Sequence, residues 1–285
     1  GFGASSLFTA SGTDASGSLQ SVPGGQTFAT YTHTGGVLTI HFTSSGTPAT
    51  TALVNDVVRH ITYSNDTPAG DATLRFTLSD GAASTTADVA VTSDTIYVTN
   101  ATDTATIDPS NGVSFSEAIA MAAADATGSQ TIVIASTLAG QTLTLGSVAI
   151  SESLTLDLSA ASGVTLTGGT LTIDGGASLT VVNGAGDTAT FATALAGAGG
   201  LTKSGAGTLT LSGSSATHSG ATSVNAGAVL VNGALGTGLV TVSAGATLGG
   251  SGSIGGSATL TSGATLSPGS GAGTGRPSVP SGAAV

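Results

Sequence analysis

Apolar residues alternate with Ser, Thr and Gly along most of the chain, and near its end this pattern repeats every 18 residues. Three successive units begin at Val224 (VNAGAVL), Val242 (VSAGATL) and Leu260 (LTSGATL). A fixed short period without insertions indicates that each unit takes the same place in a stack. Alternation is the period of a β-strand, and the glycine within each unit tolerates the positive φ of a corner. The pattern therefore predicts a coil of short strands, a parallel β-helix.

Three sets of small or aliphatic residues fall at matching places in these units, and we expect each set to form a column inside the coil. The sets are Val224, Val242 and Leu260; Ala228, Ala246 and Ala264; and Leu230, Leu248 and Leu266. The residues between them are expected to face outward, with Val229, Thr247 and Thr265 at one equivalent position. Stacked aliphatic side chains would then form a continuous dry interior.

The strand pattern divides the chain near residue 100. Residues 1–100 hold the alternating runs GVLTIHF, ATLRFTLSDG and TADVAVTSDTIYV, with a short helical pattern after the first, and we predict a small β-sandwich module there. Residues 101–270 contain shorter runs separated by glycine and serine, which predict the β-helix. Residues 271–285 lack alternation, and we expect a disordered tail. The predicted fold class is all-β.

One helix is predicted at 114–126, just before the first runs of the β-helix. Ser114 can cap this helix, and Glu117 three positions later can return the bond, which makes a capping box. Ile119, Ala122 and neighbouring alanines form an apolar face. An open solenoid end exposes unpaired backbone edges, so we expect this helix to cover the first turn of the coil.

Composition narrows the function classes. Charged residues make up 7 % of the chain, hydrophobic residues 39 %, and the net charge is −11. With no basic stripe, the chain is not expected to bind nucleic acid or to dock electrostatically on anionic lipid. It contains no cysteine, which excludes disulfides and thiolate metal sites. No apolar run approaches the ~20 residues of a membrane-spanning helix. Because the sequence starts with glycine and shows no signal peptide, we expect it to be a mature or excised fragment.

Residues 200–271 resemble the passenger-associated repeat of bacterial autotransporters. The motifs that carry the resemblance are GLTKSGAGTLTLSG, HSGATSVNAGAVL, GSGSIGG and SGATLSPG. The resemblance implies a right-handed β-helix that is exported to the bacterial surface or outer membrane, or secreted, and acts as an adhesin with a part in virulence. The translocator barrel of that family is expected outside this sequence, and the adhesive ligand, a host or surface glycan or protein, is unidentified.

Two further segments resemble parts of bacterial surface proteins. Residues 113–134 are similar to the opening of other β-helix surface proteins, with Phe115 and Ser116 in place of the usual Leu–Arg. Residues 37–92 resemble the cadherin-like or immunoglobulin-like modules of large adhesins, on the segment ITYSNDTPAGDATLRFTLSDG.

Paired carboxylates leave a polysaccharide-acting enzyme open as an alternative. Asp157 and Asp174 lie in adjacent strand runs, LTLDLS and LTIDGG, and could stack one turn apart as an acid/base pair. The competing interpretation places Asp174 in a turn and Asp157 in water. With no basic residue nearby to activate a sugar, we expect the chain not to be an enzyme.

Asp66, Asp71 and Asp80, with Asn65, are candidate calcium ligands, because calcium prefers clustered oxygens. Asp and Asn also favour turns without any ion, and no other cofactor is expected. The four histidines, His33, His41, His60 and His218, have no metal-binding spacing. The glycine-rich segments at 197–200 and 204–207 lack the following helix of a phosphate loop, and we interpret them as corners.

Outward threonines suggest one more alternative. Thr247 and Thr265 would stack at the strand spacing of about 4.8 Å, as in the flat threonine arrays of ice-binding solenoids, although Val229 would interrupt the array one turn earlier. The prediction for the chain as a whole is a non-enzymatic surface or secreted passenger fragment that provides an extended stalk or display surface.

Overall fold

A computed structural model of the chain describes residues 1–42, 48–103, 111–125 and 129–269. The structure is mostly β, with about 9 % helix. It divides into two compact units, the first from Gly1 to Asp66 and the second beginning at Thr67. The predicted disordered tail, 271–285, lies outside the described residues.

The first unit is an antiparallel sheet with one helix. Its strands β1 to β4, in spatial order, are Phe8–Gly12, Ser16–Ser21, Thr27–Thr34 and Val37–Phe42. Helix α1, Thr51–Arg59, is capped by the Thr50 hydroxyl, which accepts a hydrogen bond from the Leu53 backbone N–H at 3.3 Å. Val57 of α1 is fully buried in one core with Phe8 and Phe28. The N-terminal module, predicted as a small β-sandwich, is therefore one antiparallel sheet with a helix packed against it.

The second unit opens with a two-stranded antiparallel hairpin, β5 (Ala72–Ser79) and β6 (Ser84–Val91). The next strand, β7 (Thr95–Val98), pairs in parallel with β8 (Gln130–Ile134). The solenoid thus includes a strand from before residue 100, where the sequence pattern predicted the module boundary, because the alternation of TIYV buries Ile96 and Val98 completely in the solenoid core.

Strands β7 to β27 form a parallel solenoid of about six turns in the described part of the chain. After β8 and a 3₁₀ turn at Ser136–Leu138, strands β9 to β27 are, in order, Thr142–Leu145, Val148–Ile150, Leu154–Asp157, Val164–Gly168, Thr170–Ile173, Ser178–Val182, Thr188–Phe191, Ala194–Ala196, Gly200–Ser204, Thr208–Leu211, Ser214–Ser215, Thr222–Val224, Ala228–Val231, Ala234–Leu235, Val240–Val242, Thr247–Gly250, Ser253–Ile254, Ala258–Leu260 and Thr265–Pro268.

These strands stack into two long sheets and a third face. Sheet 1 has eight strands in the order β7-β8-β11-β14-β17-β20-β23-β26, and sheet 2 has seven in the order β9-β12-β15-β18-β21-β24-β27. The third face consists of β10-β13-β16 and β19-β22-β25. One core of buried, mainly aliphatic residues runs between the faces, as the alternating pattern predicts.

The predicted column of Val224, Val242 and Leu260 is confirmed, since the three are in-register partners in sheet 1. The other two columns are wrong at their first members: in sheet 2, Ala228 lies opposite Thr247, Val229 opposite Leu248 and Leu230 opposite Gly249. Four residues separate Val224 from Val229, whereas five separate Val242 from Leu248. The shorter corner shifts the following strand by one residue, and a one-residue shift turns every side chain to the other face.

The predicted helix is confirmed as α2, Phe115–Ala124, although it lies between β7 and β8 and thus after the first strand of the solenoid. Its capping box is present: the Ser114 Oγ accepts from the Glu117 backbone N–H at 3.3 Å, and Glu117 Oε2 accepts from the Ser114 N–H at 2.7 Å. Phe115, Ala118, Ile119 and Ala122 are buried, and α2 packs against β7 to β10. The helix therefore covers apolar surface at the first turns of the coil.

Candidate functional site: outward faces and polar core of the solenoid

A single column of hydroxyl side chains follows the whole of sheet 1. Each member lies in register with the next, and every strand of the sheet contributes one residue. The column consists of Thr95, Thr131, Thr155, Thr180, Thr202, Ser223, Thr241 and Thr259. These residues alternate with the inward positions of their strands, so their side chains face outward at the strand spacing of about 4.8 Å.

Sheet 2 carries a wider threonine array. Four successive strands each present two outward threonines in a T-x-T pattern, at 142/144, 165/167, 188/190 and 208/210. One threonine of each strand lies in a continuous column, Thr142, Thr165, Thr190 and Thr210, and the second threonines lie on one side of it in the first two strands and on the other side in the last two. No charged residue occurs in any strand of sheet 2 within the described part of the chain. The array ends where Thr210 meets Leu230.

The threonine pair predicted from the 18-residue period also lies on sheet 2. Thr247 and Thr265 are in-register neighbours. The residue one turn before Thr247 is Ala228 and not the predicted Val229, whose side chain is fully buried. The predicted interruption of the array by an outward valine is therefore wrong, because of the shorter corner before β21.

Lys203 is the least expected residue of the solenoid interior. It occupies a column between Val181 and Val224 and is completely buried. Its Nζ donates hydrogen bonds to the backbone oxygens of Ser204 at 2.5 Å and Gly205 at 2.8 Å. Burial disfavours the charged form and lowers the pKa of Lys203 to about 8. The burial of Lys203 was not predicted, although the alternation of GLTKS, with Leu201 inward, places Lys203 inward two residues later.

Two more polar side chains are buried near Lys203 in the chain. Asn183 is completely buried, and neither its Oδ1 nor its Nδ2 has a hydrogen-bond partner among the described residues. His218 is 1 % exposed and forms a parallel bridge with Gly197. Neither of its ring nitrogens makes a hydrogen bond of good geometry within the described residues. Burial lowers the pKa of His218, and the interaction with the Ala196 backbone raises this pKa by a smaller amount.

Hydroxyl groups complete this polar stretch of the core. The Ser215 Oγ accepts from the Leu195 N–H at 2.9 Å, and the Thr193 Oγ1 donates to the Gly169 carbonyl at 2.6 Å. Thr222 is also buried. The solenoid interior is thus more polar from 183 to 222 than in the aliphatic turns that flank it.

The proposed carboxylate pair does not form. Asp157, at the end of β11, lies opposite Val133 and Val182, while Asp174 follows β13 and precedes β14. Asp157 therefore lies beside the last residue of β14 and Asp174 comes before the first, and the five residues of β14 span roughly 13 Å. The alternative in which Asp157 and Asp174 stack one turn apart as an acid/base pair is therefore wrong.

The calcium candidates lie around the β5–β6 hairpin. Asp71 precedes β5, and its Oδ1 accepts from the Ser93 N–H at 2.8 Å. Asp80 follows β5, and its Oδ1 accepts from the Ala82 and Ala83 N–H groups at 2.9 and 2.7 Å. An eight-residue strand separates Asp71 from Asp80, so these two cannot share one ion. The described residues contain no group of three His, Asp or Glu that could hold a metal, and calcium binding that involves Asp66 stays a prediction.

The remaining candidates have structural positions. His33 and His41 are exposed on β3 and β4. His60 ends α1, with its Nδ1 2.7 Å from the Asp56 carbonyl oxygen. Both glycine-rich segments are corners, as predicted: Gly197 has φ +92°, and a Cβ there would lie 2.1 Å from the Ile173 carbonyl oxygen.

The model of the passenger-associated transport repeat family matches residues 201–231. The match spans β17 to β21 and includes Lys203, His218 and Thr222, so the repeat coincides with most of the polar stretch of the core. The solenoid is an autotransporter passenger-like β-helix. Such a repeat implies a location at the cell surface or outside the cell.

Comparisons with curated proteins and with solved structures give no further relatives of the chain. Neither a curated protein nor a solved structure matches the chain. The resemblance of residues 37–92 to cadherin-like modules is not confirmed. Among the described residues, no helix has both the length and the apolar character needed to cross a membrane.

Proposed function

We propose that this chain is a non-enzymatic passenger fragment, displayed on or released from a bacterial cell, whose β-helix holds an adhesive surface away from the membrane. The observation that carries the proposal is the passenger-associated repeat at 201–231 inside a continuous parallel solenoid. Its stacked strands bury a continuous, mainly aliphatic core, which gives the solenoid the rigidity that a display surface needs.

A structural role fits the positions of the charged side chains that were considered for catalysis. Asp157 and Asp174 are held apart by β14, and Lys203 is buried among aliphatic neighbours. The outward faces of both long sheets consist mainly of hydroxyl side chains, which can form hydrogen bonds with neutral glycans or with protein backbone. Adhesion is therefore assigned to these faces, with a glycan or protein of another cell as the ligand.

The adhesive role is tested by attaching a fluorescent label to the chain and measuring its binding to arrays of glycans and matrix proteins. Replacement of Thr155, Thr180 and Thr202 by glutamate breaks the sheet 1 column, and the same change at Thr165, Thr190 and Thr210 breaks the sheet 2 array. Loss of binding in one of these variants, with an unchanged circular dichroism spectrum, would identify the adhesive face. Binding that survives both triple substitutions would contradict the assignment, and release of products from pectins or other glycans would contradict a non-enzymatic role.

Binding to ice is a second candidate function, favoured by the T-x-T pattern on four successive strands of sheet 2. Rigid rows of hydroxyl and methyl groups at a fixed spacing can meet a lattice at many points at once, with little entropy lost on binding. We expect thermal hysteresis in the wild-type chain and its loss after Thr165→Lys with Thr190→Lys. The matched control is Thr155→Lys with Thr180→Lys on sheet 1. Absence of hysteresis and of ice-crystal shaping in the wild type would eliminate this candidate.

A further inference from the structure

The β5–β6 hairpin has one apolar and one polar face. The register pairs Ala72 with Val91, Leu74 with Val89, Phe76 with Ala87 and Leu78 with Thr85. Residues directly opposite in an antiparallel pair share a face, so seven of these eight side chains form one apolar surface. The other face carries Thr73, Arg75, Thr77, Ser79, Ser84, Thr86, Asp88 and Ala90.

Three of the seven apolar side chains on this face are exposed in the described structure, and the other four are partly buried. Leu78 is 58 % exposed and Val89 is 48 % exposed, and Ala87 is exposed as well. The hairpin forms a sheet of two strands only, so each strand keeps one edge without a partner in the described structure. A two-stranded ribbon is marginal by itself, and an exposed apolar surface of this kind commonly marks a site of protein interaction.

Acidic side chains lie at the two ends of the hairpin. Asp71 and Asp94 lie near the base of the hairpin and Asp80 lies at its tip, and all three are exposed. The only base of the hairpin, Arg75, is engaged on the opposite face, where its Nε and a terminal nitrogen donate to the two carboxylate oxygens of Asp88 at 2.8 and 2.9 Å. The acidic ends are thus left without a compensating cation on the hairpin.

We propose that the apolar face of the β5–β6 hairpin is a docking surface for an extended apolar segment of a partner protein, flanked by lysine or arginine. The segment would add a third strand at an edge of the hairpin and place alternate side chains on the apolar face. Its flanking cations would meet the carboxylates at both ends of the hairpin. A second copy of this chain fits less well, because its hairpin would bring carboxylates to the same ends.

The test uses the whole chain and two synthetic peptides. Both peptides contain alternating valine and threonine; one is flanked by lysines and the other by glutamates. We expect saturable binding of the lysine-flanked peptide, measured by fluorescence anisotropy, and no saturable binding of the glutamate-flanked peptide. Binding should weaken at least several-fold as salt rises from about 0.05 M to about 0.5 M, because screening weakens the charge pairs.

Two double variants locate the binding surface. Leu78→Thr with Val89→Thr removes apolar area while keeping residues that favour strands, and we expect about tenfold weaker binding. The matched control, Thr77→Ala with Thr86→Ala, changes a directly opposite pair on the polar face and should leave binding within about twofold. Circular dichroism and limited proteolysis verify that both variants remain folded.

Four results would overturn the proposal. Equal binding of the two peptides would refute the role of charge, and unchanged binding in the Leu78/Val89 variant would refute the location. Self-association of the chain in sedimentation experiments, abolished by the same variant, would identify a second copy as the occupant. No binding of the lysine-flanked peptide at any salt concentration would remove the docking surface altogether.

Discussion

Lys203 is the only lysine of the chain and lies where each neighbouring turn places an aliphatic residue. Its two hydrogen bonds to backbone oxygens satisfy part of its hydrogen-bonding capacity, but the charge remains out of water. At neutral pH the fold therefore contains an ammonium group whose burial opposes folding.

The pKa of Lys203 predicts a pH dependence of stability. This pKa is about 8 in the fold and ordinarily 10.5, so the unfolded chain binds the proton more tightly between those values and stability rises with pH across that window. The full gain is about 3 kcal/mol. Lys203→Met should raise the denaturant midpoint at neutral pH and remove this rise. A lower midpoint of the variant at pH 7 would show that the two hydrogen bonds outweigh desolvation.

His218 predicts a second dependence, on the acid side. Burial lowers its pKa from 6.5, so the unfolded chain binds a proton more readily and stability falls as the pH drops below that value. His218→Leu should flatten this part of the profile and add about 1–2 kcal/mol at pH 7, because an unsatisfied polar group is removed. The difference between wild-type and variant melting temperatures from pH 7 to pH 5 measures the effect. A constant difference would exclude His218 as its source.

Strands and corners of the solenoid differ in how much change of sequence they tolerate. Strands tolerate many outward residues, as the mixed columns of sheet 2 show, whereas a corner such as Gly197 must pass close to the turn below it. The length of a corner matters as well. The corner between β20 and β21 is one residue shorter than the equivalent corner between β23 and β24, and this difference changes the register of the whole following strand.

A pair of glycine substitutions separates backbone strain from steric overlap. Gly197 and Gly245 both have positive φ, but a Cβ at Gly197 would lie 2.1 Å from the Ile173 carbonyl oxygen, whereas one at Gly245 meets nothing within 4 Å. Gly245→Ala should cost about 1 kcal/mol through conformation alone, and Gly197→Ala about 3 kcal/mol or more. Chemical denaturation measures both. Similar costs would mean that the corner at Gly197 can relax away from the turn below.

At the scale of the whole molecule, the solenoid depends on one continuous interior. Its core cluster runs from Ile96 in β7 to Ala258 in β26, so each turn is stabilised by the turns on both sides of it. An unfavourable residue deep in one turn should therefore destabilise its neighbours as well.

Adjacent residues of β23 test this continuity. Val242 is fully buried, whereas Thr241 belongs to the outward column of sheet 1. Val242→Asp should cost about 4 kcal/mol or more because it buries a charge, and Thr241→Asp about 1 kcal/mol or less. Hydrogen exchange should then show faster exchange in β20 and β26 of the first variant only. Faster exchange confined to β23 would indicate that the turns fold independently.

Sequence alone was enough for the features that depend on nearby residues. The alternation of apolar and hydroxyl residues predicted short strands, and Ser114 with Glu117 predicted the capped helix. The motifs of 200–271 predicted a passenger-like repeat, and the family model matches residues 201–231 of this segment. Each depends on residues a few positions apart, so each can be recognised without knowing what packs against it.

Tertiary structure decided the features that depend on pairing between turns. The register of β21 depends on the length of a single corner, the separation of Asp157 from Asp174 depends on which strand lies between them, and the exposure of Leu78 and Val89 depends on what packs on the hairpin. Lys203 lies between these cases: alternation marks it as inward, but only the stacked neighbours Val181 and Val224 show that it is buried. Side-chain environment in a solenoid is set mainly by the turns above and below, which are about twenty residues away in the sequence.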